Sequence, residues 1–231
     1  MRGAIMFNKF KELFGSETLL DEAYKTTLLM LEFDEQMFHA SRKTLRETNT
    51  SDLPFDIRAT DRKINKYERE VRRKVLTHLT IAGNENLVPG LALVSIVIDV
   101  ERIGDYTKNI AGLANLHNKM LKGGVHESTL QEIEKAIERH FPMVIEVLKT
   151  HDQDRARTIL QVEQDMSKKS DQIVDDMILV KDRSLSTGES VSLAMYARYL
   201  KRVNAHLTNI ASSIVNPFPR IGFREKENRQ E

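Results

Sequence analysis

One passage of this chain is written twice, one hundred residues apart. Asp99-Val-Glu-Arg-Ile-Gly-Asp-Tyr-Thr-Lys-Asn-Ile-Ala111 is answered by Tyr199-Leu-Lys-Arg-Val-Asn-Ala-His-Leu-Thr-Asn-Ile-Ala211. Arg102 matches Arg202, and Asn109, Ile110 and Ala111 match Asn209, Ile210 and Ala211. In the later copy Leu193, Tyr196, Leu200, Val203, Leu207, Ile210 and Ile214 alternate at intervals of 3 and 4. That is the apolar seam of a helix packed on other helices. The earlier copy keeps the register with Leu93, Ile96, Val100, Ile103, Thr107, Ile110 and Ala114. A seam repeated in one register implies a duplicated helical unit, so the chain is expected to fold as two related halves.

Composition narrows the class. A chain of 231 residues accommodates two bundles, and 30% charged residues with 10 Gly and 5 Pro suits long surface helices. The absence of Cys removes disulfides, thiolate metal sites and thiol nucleophiles. A net charge of +1 gives no overall pull toward nucleic acid or lipid. The local basic run of Lys66, Arg69, Arg72, Arg73 and Lys74 is interleaved with Glu68 and Glu70, the composition of a solvated face. No uncharged run reaches the roughly 20 residues of a membrane span, and residues 3–7 are too brief an apolar stretch for a signal peptide. Phe7, Phe10 and Phe14 form an amphipathic stripe expected to dock on the neighbouring bundle, with an interfacial anchor as the alternative.

Six long helices are expected, three in each half, in an all-α fold of two tandem three-helix bundles. The first follows Ser16 as its cap and runs to about residue 49, with Leu20, Tyr24, Leu28, Leu31, Phe38 and Leu45 inward. The second covers about 55–82, with Ile57, Ile64, Val71 and Val75 inward, and His78 falls on the same seam. The third starts around Pro89 and ends near 121. Gly123-Gly124 marks the boundary between halves. The fourth helix, about 128–149, contains Pro142, expected to kink or interrupt it. The fifth and sixth cover about 153–182 and 189–215, and Asn216-Pro-Phe-Pro219 ends the last. The domain layout is an N-terminal amphipathic segment over 1–16, bundles over 17–122 and 125–215, and a flexible charged tail over 216–231. No strand pattern, phosphate-binding Gly-rich loop or nucleophile elbow is present, which tells against most nucleotide-binding and hydrolase folds.

Candidate chemistry sits on the second and third helices. Glu101 and Asp105 are four apart, so both carboxylates leave one face, away from the seam and together with Asn109. Asp61, Asn65 and Glu68 line the flank of the second helix. Packed side by side, the two rows would form a cluster of oxygens that needs protons or a cation to relieve its repulsion, and hard ions favour such ligands. On spacing alone the plainer reading is a solvated face in which Asp105 pairs with Lys108. A ferritin-like di-metal centre fits poorly, because no His has Glu three residues before it. Gly104 in mid-helix costs about 1 kcal/mol relative to Ala, and either permits a close helix approach or leaves an open face beside the acids.

The stretch Asp99-x-Glu101-Arg102-Ile103-Gly104-Asp105-x-x-x-Asn109-Ile110-Ala111 resembles the signature of the PhoU family of phosphate-uptake regulators. The resemblance extends over the repeat architecture, from roughly 17 to 215. It implies two three-helix bundles carrying paired acidic motifs that bind metal clusters on the bundle surface. By position, Glu101 and Asp105 form one motif of the first bundle and Asp61 with Asn65 the other. Asp99, Glu68 and Asn109 would stand at the periphery. In the second bundle Glu163-x-x-x-Ser167 keeps one acid and Lys201-x-x-x-Ala205 keeps none. A metal (iron, zinc, manganese or magnesium) is therefore expected in the first bundle only.

The function this resemblance implies is a cytoplasmic, non-enzymatic regulator. It would act at the membrane through a phosphate ABC transporter ATPase and its sensor histidine kinase to restrain the phosphate-starvation response. A homodimer is left open and nucleic acid is disfavoured. The alternatives are an accessory subunit of another ion transporter, a helical nucleic-acid-binding or scaffold protein resting on the 66–74 stretch, and a carboxylate-bridged metalloenzyme.

Overall fold

The computed structural model describes residues 18–117 and 119–225. Six α-helices carry the fold among them: α1 (Leu19–Glu47), α2 (Ile57–Ala82), α3 (Leu87–His117), α4 (Glu127–Thr150), α5 (Gln153–Ile178) and α6 (Thr187–Val215). The first three pack on one another, as do the last three, and the halves meet where α3 lies on α6 and α1 on α4. The all-α, twice-repeated architecture is the one the duplicated seam implies. Each seam residue from Leu93 to Ala114, and each from Leu193 to Ile210, is buried, with Ile214 partly so.

Local chemistry sets the helix ends. The segment 1–16, with Ser16 and the Phe7, Phe10, Phe14 stripe, lies outside the described residues; α1 is capped instead by Thr18. Its hydroxyl accepts from the Asp21 N–H at 3.1 Å while Asp21 returns a carboxylate to the Thr18 N–H. Ser186 and Glu189 build the same reciprocal box at the start of α6, and Asp152 caps α5. Such boxes satisfy amides that a helix cannot. Pro142 neither breaks nor interrupts α4, which is continuous through it. The residue is exposed, so its ring displaces no core side chain, and it leaves the carbonyl one turn back without its helical donor.

The junction between halves is pinned rather than loose. Leu121 is fully buried and its N–H donates to the Leu45 carbonyl at 2.8 Å. The Val125 N–H donates to Asp182 Oδ2 at 3.0 Å. Gly124 sits at φ +55°, and a Cβ there would lie 2.1 Å from the same Asp182 oxygen, so only glycine fits. Arg46 of α1 crosses to α4, donating from Nε to Glu134 Oε1 at 2.8 Å and from its terminal nitrogens to Glu127 and the Leu121 carbonyl. Tyr196 of α6 donates to the same Glu134 oxygen at 2.7 Å.

Helices α3 and α6 run antiparallel. Asp99 Oδ1 lies 2.7 Å from His206 Nδ1 and accepts from Asn209 Nδ2 at 3.1 Å, while Arg202 Nε donates to the Tyr106 hydroxyl at 3.2 Å. The crossing is therefore centred near Ile103 and Val203, the equivalent positions of the two copies. That is the geometry of a twofold-related pair. Beyond α6, the segment expected to be a flexible tail folds back through residue 225. The Asn216 amide donates to the carbonyls of Arg220 and Phe223, the Gly222 N–H donates to Ser212 Oγ at 2.7 Å, and Glu225 pairs with Arg157.

Helix α5 ends in a Schellman turn: the Lys181 N–H reaches the Asp176 carbonyl at 3.0 Å and the Val180 N–H the Met177 carbonyl at 3.2 Å. The left-handed position, ordinarily glycine, is Val180 at φ +52°. A β-branched side chain there is strained. Val180→Gly is expected to raise stability by roughly 0.5–1 kcal/mol, the relief of strain being offset in part by glycine's greater unfolded-state freedom. Urea unfolding measures it, with a higher midpoint at unchanged slope.

Candidate functional site

The acidic face of the first bundle forms where α2 and α3 lie side by side. Asp61 projects from the first turns of α2 and Asp105 from the middle of α3, and one cation joins them. Lys108 Nζ donates to Asp61 Oδ1 and Oδ2, both at 2.9 Å, and to Asp105 Oδ1 at 2.8 Å. Burial works to lower the Lys108 pKa, and its hydrogen bonds to Asp105 and Asp61 outweigh burial and raise it. The remaining Asp105 oxygen accepts from Arg102 Nη1 at 3.1 Å, and Arg102 Nε stands 3.6 Å from Glu101. Burial, then the neighbouring Asp105, pushes the Glu101 carboxyl above its ordinary value, with Arg102 opposing. The pairing of Asp105 with Lys108 is thus borne out and extended by Asp61.

The other expected positions divide. Glu68 is held by Arg72 at 2.7 Å, Asn65 is half-buried on the same side of α2, and Asn109 is exposed. Asp99 does not join the periphery of this face; it points across the interface between halves to His206 and Asn209. The reason is rotation along α3, where Asp99 is two residues before Glu101 and so lies on a different side.

Beneath the face lies an acid that the spacing argument passed over. Asp34 of α1 is fully buried, and neither of its oxygens has a hydrogen-bond partner. Burial pushes its carboxyl well above the ordinary range, and Glu101, Asp61 and Asp105 add to the rise. A Cβ on Gly104 would lie 2.9 Å from Asp34 Oδ1. Gly104 therefore serves close approach, and what approaches is this acid.

In the second bundle the equivalent face is open. Glu163, Ala205 and Thr208 stand where the first bundle has Asp61, Asp105 and Lys108. All three line a groove of about 610 Å³ between α5, α6 and the 222–225 segment. Arg157 forms part of its wall, donating from Nε and Nη2 to the Glu225 carboxylate at 2.9 and 3.0 Å. Lys201, in place of Glu101, binds Asp171 instead.

Comparison with known proteins fits both halves. The PhoU domain model matches residues 27–114 and again 130–214. The chain belongs to the PhoU family. None of the curated proteins compared matches it. Among solved structures it is similar to PhoU from Pseudomonas aeruginosa, at 19% identity and a TM-score of 0.76, covering 85% of this chain and 95% of that one. It is also similar to the phosphate transport system regulatory protein PhoU from Streptococcus pneumoniae, at 19% identity and a TM-score of 0.68, covering 85% of this chain and 91% of that one. These likenesses are of fold.

The resemblance to PhoU proteins implies a metal on the acidic face, and the side chains as arranged do not fit one. Among the described residues no group of three or more His, Cys, Asp and Glu side chains is placed to hold an ion. Three of the four oxygens of Asp61 and Asp105 accept from Lys108 and the fourth from Arg102. A metal would have to displace an ammonium already matched to its acceptors.

Two sequence signals to this arrangement existed. Asp34 falls between Leu31 and Phe38 on the inward stripe of α1, where an acid is out of place. Asp99 and His206 belong to paired copies of one motif. Asp34 also makes stability depend on pH. Above the ordinary value of 3.8 the unfolded chain releases this proton while the folded chain retains it. Stability falls as pH rises until the buried acid itself ionises. Asp34→Asn is expected to melt higher than wild type at alkaline pH, with the gap narrowing toward pH 3.8. Thermal unfolding across pH checks this; a gap constant with pH contradicts it.

Proposed function

We propose that this PhoU-family chain is a non-enzymatic regulator of phosphate uptake that docks on a phosphate ABC transporter ATPase and its sensor histidine kinase. The observation that carries the reading is the family match in both halves, and a structural relative is itself described as a phosphate transport system regulatory protein. The chemistry of the acidic face agrees. Every oxygen of Asp61 and Asp105 is held by Lys108 or Arg102, which suits a preset contact surface better than proton transfer. No helix among the described residues is long and apolar enough to cross a membrane, so the proposal brings the chain to the bilayer from the cytoplasmic side through its partners. The alternative nucleic-acid surface over 66–74 is weakened because Arg72 is held by Glu68 and Lys74 by Glu70 and Glu22.

Contact surface for a partner is available at the bundle tips. Between α2 and α3, Leu76, Ile81 and Val88 are each more than half exposed, and between α5 and α6 so are Ile178, Leu179, Val180 and Val191. Apolar side chains grouped in this way commonly mark protein contacts. Val180 is held in a strained backbone conformation with its side chain in solvent, and a strained exposed residue is more easily retained where the side chain is used.

Affinity capture from membranes of phosphate-replete cells, using the full chain, tests the proposal. The transporter ATPase is expected to co-purify, and deletion of the gene to switch on the phosphate-starvation response. Ile81→Ser and Leu179→Ser should each weaken capture several-fold at unchanged Tm. Capture of a transporter for a different ion, with phosphate responses intact, would overturn the phosphate reading.

A further inference from the structure

We infer that Lys108 is the resident cation of the acidic face, a tethered ammonium that bridges Asp61 and Asp105 from within the chain in place of a metal ion.

An ammonium has three N–H donors and no acceptor. At Lys108 those donors meet Asp61 Oδ1, Asp61 Oδ2 and Asp105 Oδ1 at 2.9, 2.9 and 2.8 Å. The donor set is filled, and the two acids it joins come from different helices. The Asp61 side chain is only 11% exposed, so its charge lacks the solvation that would let it stand alone. Two carboxylates brought together need a compensating charge, and the chain supplies it in α3 itself, three residues beyond Asp105. Arg102 completes the compensation on the outer oxygen of Asp105. A metal ion would have to displace this ammonium and leave it, still tethered, close to the incoming positive charge.

The second bundle behaves as a natural deletion of the same unit. Asp105 and Lys108 are replaced together, by Ala205 and Thr208, and Glu163 in the place of Asp61 has no ion-pair partner among the described residues. The space that the bridge fills in the first bundle is there an open groove. The lysine and the Asp105 carboxylate are both absent there, and the one acid that stays, Glu163, stands alone at an open groove where it needs no second charge to offset a neighbouring carboxylate.

Mn²⁺ is a suitable probe, being hard, oxygen-seeking and visible by electron paramagnetic resonance. The wild-type chain, stripped with chelator and titrated, is expected to take up no Mn²⁺ at this face. Lys108→Met is expected to melt lower than wild type and to gain a stoichiometric Mn²⁺ site whose occupation restores part of the lost Tm. Asp61→Asn in the Lys108→Met background should abolish that site. Lys108→Arg, which keeps the charge, should keep the wild-type Tm and still exclude Mn²⁺. A wild-type chain that binds Mn²⁺ stoichiometrically and loses it on Asp61→Asn or Asp105→Asn overturns the inference. So does a Lys108→Met chain with unchanged Tm and no gain of metal. Should Lys108→Met fail to fold, the wild-type titration and Lys108→Arg decide the matter alone.

Discussion

The antiparallel packing of α3 on α6 is the contact on which the remaining architecture depends. Each helix buries one stripe in its own bundle and presents an adjacent one to its twin, so a single helix serves both the core and the join. Because the two are copies, the contact pairs equivalent positions about a centre near Ile103 and Val203. The symmetry is no longer exact. At one side of the crossing Asp99 meets His206 and Asn209. At the other, position 199 is Tyr, which faces Tyr106 at a ring separation of 6.2 Å and leaves Asn109 in solvent. An acid–imidazole pair and an aromatic pair thus occupy related places, each internally satisfied. The second join, α1 on α4, adds the Arg46–Glu134–Tyr196 network and the Phe38–Phe141 contact.

That arrangement leaves the α2–α3 and α5–α6 faces free to diverge. In the first bundle Lys108 and Arg102 together offset Asp61 and Asp105 and close the face, above a buried acid admitted by Gly104. In the second, Ala205 and Thr208 in place of the carboxylate and the lysine leave a groove of mixed character, with the Arg157–Glu225 pair in its wall. The apolar seams beneath are alike, but where Gly104 admits the buried Asp34 in the first bundle, Asn204 pairs with the buried His140 at 2.8 Å in the second, and the faces above differ in charge, where substitution disturbs packing least. Duplication followed by such drift yields one scaffold with two unlike faces and an apolar tip at either end.

Much of this was legible in the residues. The alternating apolar seam is a strong signal because burial imposes it at every turn, and it foretold the six helices, their grouping and the buried Leu93–Ala114 and Leu193–Ile210 stripes. Boundaries were less legible, since a cap such as Thr18 competes with nearby Ser16 on chemistry alone. The site was half legible. Spacing placed Glu101 and Asp105 on one face and suggested the Asp105–Lys108 pair, but reach across helices cannot be counted along one. Lys108 touching Asp61, Asp34 rising beneath Gly104 and Asp99 turning to His206 are all contacts between separate helices. The fold-back of 216–225 was hidden for a related reason: a polar, Pro-containing segment reads as a tail unless its partners, Ser212 and Arg157, are known.

The duplicated, antiparallel join has one direct physical signature. The chain has no Cys, so nitroxide labels can be placed at Leu91→Cys on α3 and Val191→Cys on α6, both exposed and at equivalent positions. With the helices crossing near Ile103 and Val203 at 1.5 Å per residue, pulsed dipolar spectroscopy should return a separation of about 37 Å. A separation near 10 Å, the spacing of neighbouring parallel helices, would mean that the twins run side by side in the same direction, contradicting the twofold arrangement from which the two faces follow.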